Sequence, residues 1–201
     1  MPVWQGGKMS ETGSAAASTT VEGKSNLSGA AGKSVLSWIR FLGVASVGAS
    51  LDLWTKFLAF KDLGYHPHQP PMAIIPHVLW LKTTLNGGAV FGIGQGLSLM
   101  FVAISLIAIA FVVYVFFSSH RRHWVVHIAL GLILAGAIGN MYDRIFNHGM
   151  VRDFILLAHW PWIFNIADSM LCIGVPMLVL CWLLLPGPRY RNHQTTENSI
   201  A

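Results

Sequence analysis

Acidic side chains are scarce in this chain, eight among 201 residues, and several stand beside amides or cations at regular spacing. Asn165 and Asp168 lie three apart in FNIADSML, as do Asn140 and Asp143 in GNMYDRI, and Arg144 follows Asn140 by four. Residues three or four apart share a helix face, so each set presents an amide with a charge on one side. Asp52 and Lys56 form a further i, i+4 pair in DLWTK, Asp153 sits in VRDFIL, and Asn86 opens the NGG that ends in Gly88. Two carboxylates brought close together cannot both ionise cheaply, so one keeps its proton while the other stays charged. Aspartic peptide hydrolysis needs that asymmetry: the charged oxygen takes a proton from water and the acid donates one to the scissile carbonyl. The chain has no HExxH, no P-loop and no plausible Ser, His and Asp constellation. On spacing alone Asp168 has three candidate partners, Asp143, Asp153 and Asp52, of which Asp153 lies in a connection able to fold inward.

Each group also has a purely structural reading. Asn165 with Asp168 can cap a helix, Asp52 with Lys56 can be a boundary ion pair, Asp143 with Arg144 can be interfacial charges, and Asp153 can be a loop acid. Together these readings leave the lopsided distribution of acids unexplained.

The elements that carry these residues are membrane spans. With 54% hydrophobic and only 10% charged residues, the chain is too apolar for a soluble domain of this size. Four stretches, at about 35–60, 97–117, 124–142 and 165–185, are each long enough to cross a roughly 30 Å hydrocarbon layer. The expected fold is an all-α membrane protein, a four-transmembrane-helix bundle over residues 34–187, with a small extracytoplasmic β/loop element. Within the long connection at 61–96, residues 78–85 are expected to form a short strand. Residues 1–33, rich in Ser, Thr, Gly and Ala, are expected to be a disordered tail, and 188–201 a cytoplasmic tail.

Basic residues flank the spans on one side: Lys24, Lys33 and Arg40 before the first, Arg121 and Arg122 between the second and third, Arg189 and Arg191 after the fourth. The positive-inside rule then puts both termini in the cytoplasm and gathers the amide and acid sets on the opposite, outer rim. The same rule accounts for the net charge of +5 without a nucleic-acid partner. Cys172 and Cys181 would stand roughly 13 Å apart along one helix, beyond disulfide reach. His66 with His68 and His123 with His127 have metal-compatible spacing but no accompanying carboxylate or thiol cluster, so no metal or cofactor is expected.

Five motifs in series, DLWTK, NGGAVFGI, GAIGNMYDRI, VRDFI and FNIADSML, resemble those of the bacterial lipoprotein signal peptidases, the signal peptidase II family. The resemblance runs from about residue 36 to 185. It implies an aspartic endopeptidase of the bacterial inner membrane that cuts prolipoproteins before a diacylglyceryl-modified cysteine, and that binds membrane lipid and the inhibitor globomycin. It further implies Asp153 and Asp168 as catalytic acids. Asn86, Gly88, Asn140, Arg144, Asn165 and Ala167 match positions around the pocket, with Asp52, Lys56 and Asp143 supporting it. The chain departs from the usual VVDF in having Arg152 before Asp153, where a cation lowers the pKa of the adjacent acid or simply faces headgroups. Two other readings compete: a proton-coupled transporter using the same carboxylates as a relay, and a noncatalytic membrane assembly protein.

Overall fold

Ser34 stops the chain outside helical geometry and its hydroxyl accepts from the Ser37 amide at 3.2 Å, which starts the first helix, α1 (Val35–Leu63). The computed structural model describes residues 34–66, 68–88, 94, 96–119 and 123–184; the two tails expected at 1–33 and 188–201 lie outside these. Along the chain there follow β1 (Met72–Ile75), β2 (Leu79–Asn86), α2 (Ser98–Ser118), α3 (Trp124–Phe146), β3 (Val151–Leu157), β4 (Ile163–Phe164) and α4 (Ile166–Leu184). All four helices are long and apolar enough to span a membrane. Pro176 is tolerated within α4, as prolines commonly are in membrane helices.

The helices differ in what covers them. Two thirds of the most apolar stretch of α3 is buried within the protein (67%), against 17–22% for the other three, so α3 is the central helix and the others face lipid. Small residues make that position possible. A Cβ on Gly136 would lie 2.6 Å from the Ala167 carbonyl oxygen, and one on Gly139 would run into the Asp52 carboxylate, so α4 and α1 close directly on the α3 backbone. At the end of the bundle away from the sheet, Phe41 of α1 stacks on Phe116 of α2 with centroids 4.2 Å apart, and Trp38 meets Phe116 edge-on at 4.9 Å. Val112, Val126 and Leu130 complete that core.

A four-stranded antiparallel sheet in the order β1-β2-β3-β4 sits at the other end. The strand expected at 78–85 is β2, displaced by one residue. The connection between α3 and α4, where the sequence allows Asp153 to be a loop acid, holds a strand as well: β3 pairs with β2 through Leu81↔Ile155, Thr84↔Asp153 and Leu85↔Arg152. Its local pattern is poor, because Asp153 and Phe154 are both buried and break the alternation of inward and outward faces. The pairing with β2, not the local pattern, makes it a strand. The Thr83 hydroxyl donates to the Gly64 carbonyl at 2.6 Å and ties β2 to the end of α1.

Candidate active site

The site begins with a helix cap. Asn165 precedes α4 and its side-chain oxygen accepts from the Asp168 amide at 2.9 Å, while its own backbone N–H donates to Asp168 Oδ2 at 3.2 Å. This reciprocal box satisfies the Asp168 and Asn165 amides and places a carboxylate at the positive end of the helix. The cap read from the sequence is therefore present, and it does more than cap. The remaining amide hydrogens of Asn165 reach Asp153 Oδ1 at 2.6 Å and Asn140 Oδ1 at 3.1 Å. Asn165 thus binds both carboxylates, that of Asp153 through its side chain and that of Asp168 through its backbone N–H.

Asn140, on α3, mirrors Asn165. Its Nδ2 donates to Asp168 Oδ1 at 2.8 Å, and its oxygen accepts from Lys56 Nζ at 3.1 Å as well as from Asn165. Asp153 receives a second amide, Asn86 Nδ2 at 3.2 Å, from the adjacent strand β2. Register explains that contact, since Asn86 and Asp153 lie on the paired segment where β2 and β3 run side by side.

Beneath the two acids lies a cluster of buried charges. Lys56, fully buried, contacts Asp52 Oδ2 at 2.7 Å and Asp143 Oδ2 at 3.2 Å. Asp52 Oδ1 accepts the backbone N–H of Ala167 at 2.8 Å, so the α1 acid grips the first turn of α4 beside Asp168. Arg144 spans the opposite wall: Nη1 donates to the Asn140 carbonyl at 3.3 Å and Nη2 to the Gly88 carbonyl at 3.1 Å, with the guanidinium over the Phe101 ring. Gly88 N–H in turn donates to Asn86 Oδ1 at 3.0 Å.

Asp153 is 2% exposed, and burial is the main force pushing its pKa up from 3.8 to about 7, with the neighbouring negative charge of Asp168 adding to the shift. The Asn165 and Asn86 amides and the Lys56 charge oppose this without cancelling it. Burial thus favours the protonated form of Asp153 relative to an exposed aspartate. Asp168 is half-buried and opens toward solvent.

The structure brings all eleven residues singled out from the sequence, Asp52, Lys56, Asn86, Gly88, Asn140, Asp143, Arg144, Asp153, Asn165, Ala167 and Asp168, into one connected network of hydrogen bonds and ion pairs. Arg152 behaves otherwise than expected. It neither pairs with Asp153 nor merely faces outward; Nε and Nη2 contact Asp143 Oδ1 at 2.9 and 2.6 Å. Adjacent strand residues point to opposite faces, which separates Arg152 from its neighbour Asp153. Phe101 under Arg144 also went unseen, and an apolar run such as LSLMF carries no signal that singles it out.

The family model described as "Signal peptidase (SPase) II" matches residues 44–184 of this chain. A lipoprotein signal peptidase of Rhodopirellula baltica is 40% identical over 156 residues, covering 70% of this chain and 70% of that protein. One from Halalkalibacterium halodurans is 41% identical over 141 residues, covering 68% of this chain and 87% of its own length. Among solved structures, a bacterial membrane enzyme determined by the in meso method at 2.3 Å resolution superposes with a TM-score of 0.64 at 32% identity, over 70% of this chain and 85% of that one.

Proposed function

The chain belongs to the signal peptidase II family, membrane proteases of bacteria that remove signal peptides from prolipoproteins, and on that premise we propose that it does so by aspartic chemistry, with Asp153 and Asp168 as the reacting pair. One observation carries this reading: Asn165 holds both carboxylates, donating to Asp153 and exchanging two hydrogen bonds with Asp168. Asp153 accepts from the Asn165 side-chain amide and the Asp168 carboxylate from the Asn165 backbone N–H, so one residue sets both acids, and in this reading the deeply buried Asp153 carries the proton. Asp168 is then the base of the pair in this reading.

In the proposed reaction Asp168 takes a proton from a water molecule as its oxygen attacks the scissile carbonyl, and Asp153 gives its proton to the carbonyl oxygen. The tetrahedral intermediate collapses by breaking the C–N bond, the leaving amine takes the proton from Asp168, and Asp153 recovers its own. Among the described residues Arg144 Nε is buried without a hydrogen-bond partner, so it is available to a carbonyl of the bound peptide. The scissile bond precedes a diacylglyceryl-modified cysteine whose acyl chains stay in the bilayer between helices while the peptide reaches the outer rim. Both termini then face the cytoplasm of the bacterial inner membrane, and a globomycin-type cyclic peptide competes at the same rim.

The transporter reading finds no support. The relatives are peptidases, and the end of the bundle away from the sheet is filled by Trp38, Phe41, Phe116 and Leu130 with no carboxylate among the described residues. The test is cleavage of a diacylglyceryl-modified prolipoprotein, followed on a gel. Asp153→Asn and Asp168→Asn should each abolish cleavage in protein that remains folded, and turnover by either variant would overturn the assigned pair.

A further inference from the structure

Arg152 makes three contacts with one carboxylate: its backbone N–H donates to Asp143 Oδ2 at 3.0 Å, its Nε to Oδ1 at 2.9 Å and its Nη2 to Oδ1 at 2.6 Å. Asp143 is wholly buried, whereas the Arg152 side chain is 21% exposed. The cluster under the reacting pair therefore contains two acids, Asp52 and Asp143, and two cations, Lys56 and Arg152, and its formal charges cancel. Without Arg152, Lys56 alone would face two buried carboxylates. Removing one partner from a buried charge group leaves the remainder uncompensated, which is far more costly than at a surface.

The consequence would reach the chemistry by a short path. Arg152 holds Asp143, Asp143 holds Lys56 at 3.2 Å, Lys56 donates to Asn140 at 3.1 Å, and Asn140 donates to Asp168 at 2.8 Å. Arg152 is also the residue directly before Asp153, so its grip on α3 sets where β3 delivers that acid. We propose that Arg152 is a positioning residue for the reacting pair: held to Asp143 through both backbone and side chain, it completes the charge balance of the buried cluster and fixes the strand that carries Asp153. The charges around the pair are Arg144 and Asp143 from α3, Asp52 and Lys56 from α1, and Arg152 from β3 itself, with the neutral amides of Asn86, Asn140 and Asn165 between them.

This inference rests on the reading of Asp153 and Asp168 as the reacting acids, and the two fail separately. The full chain, reconstituted in lipid, is assayed for kcat, KM and pH profile on a diacylglyceryl-modified prolipoprotein. Arg152→Met leaves an uncompensated negative charge near the pair, which disfavours ionisation of Asp153. Its profile should move to higher pH by roughly half to one unit, with kcat reduced and KM little changed. Arg152→Lys keeps the charge but loses the two-point grip, so it should lower kcat several-fold at the parental pH midpoint. Adding Asp143→Asn to Arg152→Met removes one charge of each sign and should return the midpoint toward the parental value, even at low kcat. A profile that stays put in Arg152→Met, or a midpoint that does not return in the double variant, overturns the proposal. Should Arg152→Met not fold, Arg152→Lys decides: a displaced midpoint despite the retained charge overturns it, and a parental one with lowered kcat supports it. Cleavage by Asp153→Asn would instead sink the underlying assignment of the pair, whatever Arg152 does.

Discussion

The two ends of α3 are built by opposite rules. Toward its start, Val126 and Leu130 pack with Phe41 and Phe116 in an apolar plug; toward its end, Asn140, Asp143 and Arg144 enter a network of amides and charges. The plug coheres chiefly through packed apolar atoms, with the buried His127 ring edge-on to Phe116 as a polar member. The polar end must satisfy each donor and acceptor, and its ion pairs do little better than offset their own desolvation. A buried cluster of that kind is a poor way to stabilise a bundle and a good way to fix acids in place. The difference teaches that one helix can divide its labour along its length, with cohesion at one end and positioning at the other.

The sharpest break of that division is chemical. Asp153→Asn or Asp168→Asn should abolish detectable turnover while leaving the protein folded, measured on the lipid-modified substrate and by a cooperative thermal unfolding transition of the same preparations. Next comes Lys56→Met, which strips Asp52 and Asp143 of their shared cation. It should destabilise by about 3–5 kcal/mol and also lower activity, since Asn140 loses its anchor. At the other end, Phe116→Ala should cost a similar or slightly smaller amount of stability, about 3 kcal/mol, yet leave kcat per folded molecule near the parental value. If that variant lost kcat while folded, the two ends would be coupled and the division of labour wrong.

The last effect is a pH dependence. Asp153 keeps its proton to about 7 in the folded protein, whereas an unfolded aspartate releases it near 3.8. Protonation therefore favours the folded state: that contribution is fully present below pH 3.8 and is lost as the pH rises to about 7. Melting curves of the parent and Asp153→Asn between pH 4 and 8 should diverge over this window, with only the parent losing stability. The turnover of the parent should fall on the alkaline side with a midpoint near 7, since the proton donor is lost there.

Much of the candidate site was legible because its pieces are local. The Asn165 and Asp168 cap is an i, i+3 relation and the Asp52 and Lys56 pair an i, i+4 one; helical geometry guarantees that such residues meet, whatever the rest of the chain does. What stayed hidden depends on partners far away in the chain. Asn86 reaches Asp153 across 67 positions, and Ala167 reaches Asp52 across 115. VRDFIL reads in the sequence as a connection between two spans, and only the pairing with β2 makes it a strand.

The sequence by itself determined four membrane spans, the faces on which the amides and acids fall, and the five motifs that match the peptidase family, since periodicity, length and residue order are local properties of the chain. The tertiary structure decided which acid meets which amide. Asn165 is shared between Asp153 and Asp168, and Arg152 turns from its neighbour Asp153 to Asp143. Those choices follow from strand register and from the close approach of α1 and α4 to the glycines of α3, which residue spacing does not encode.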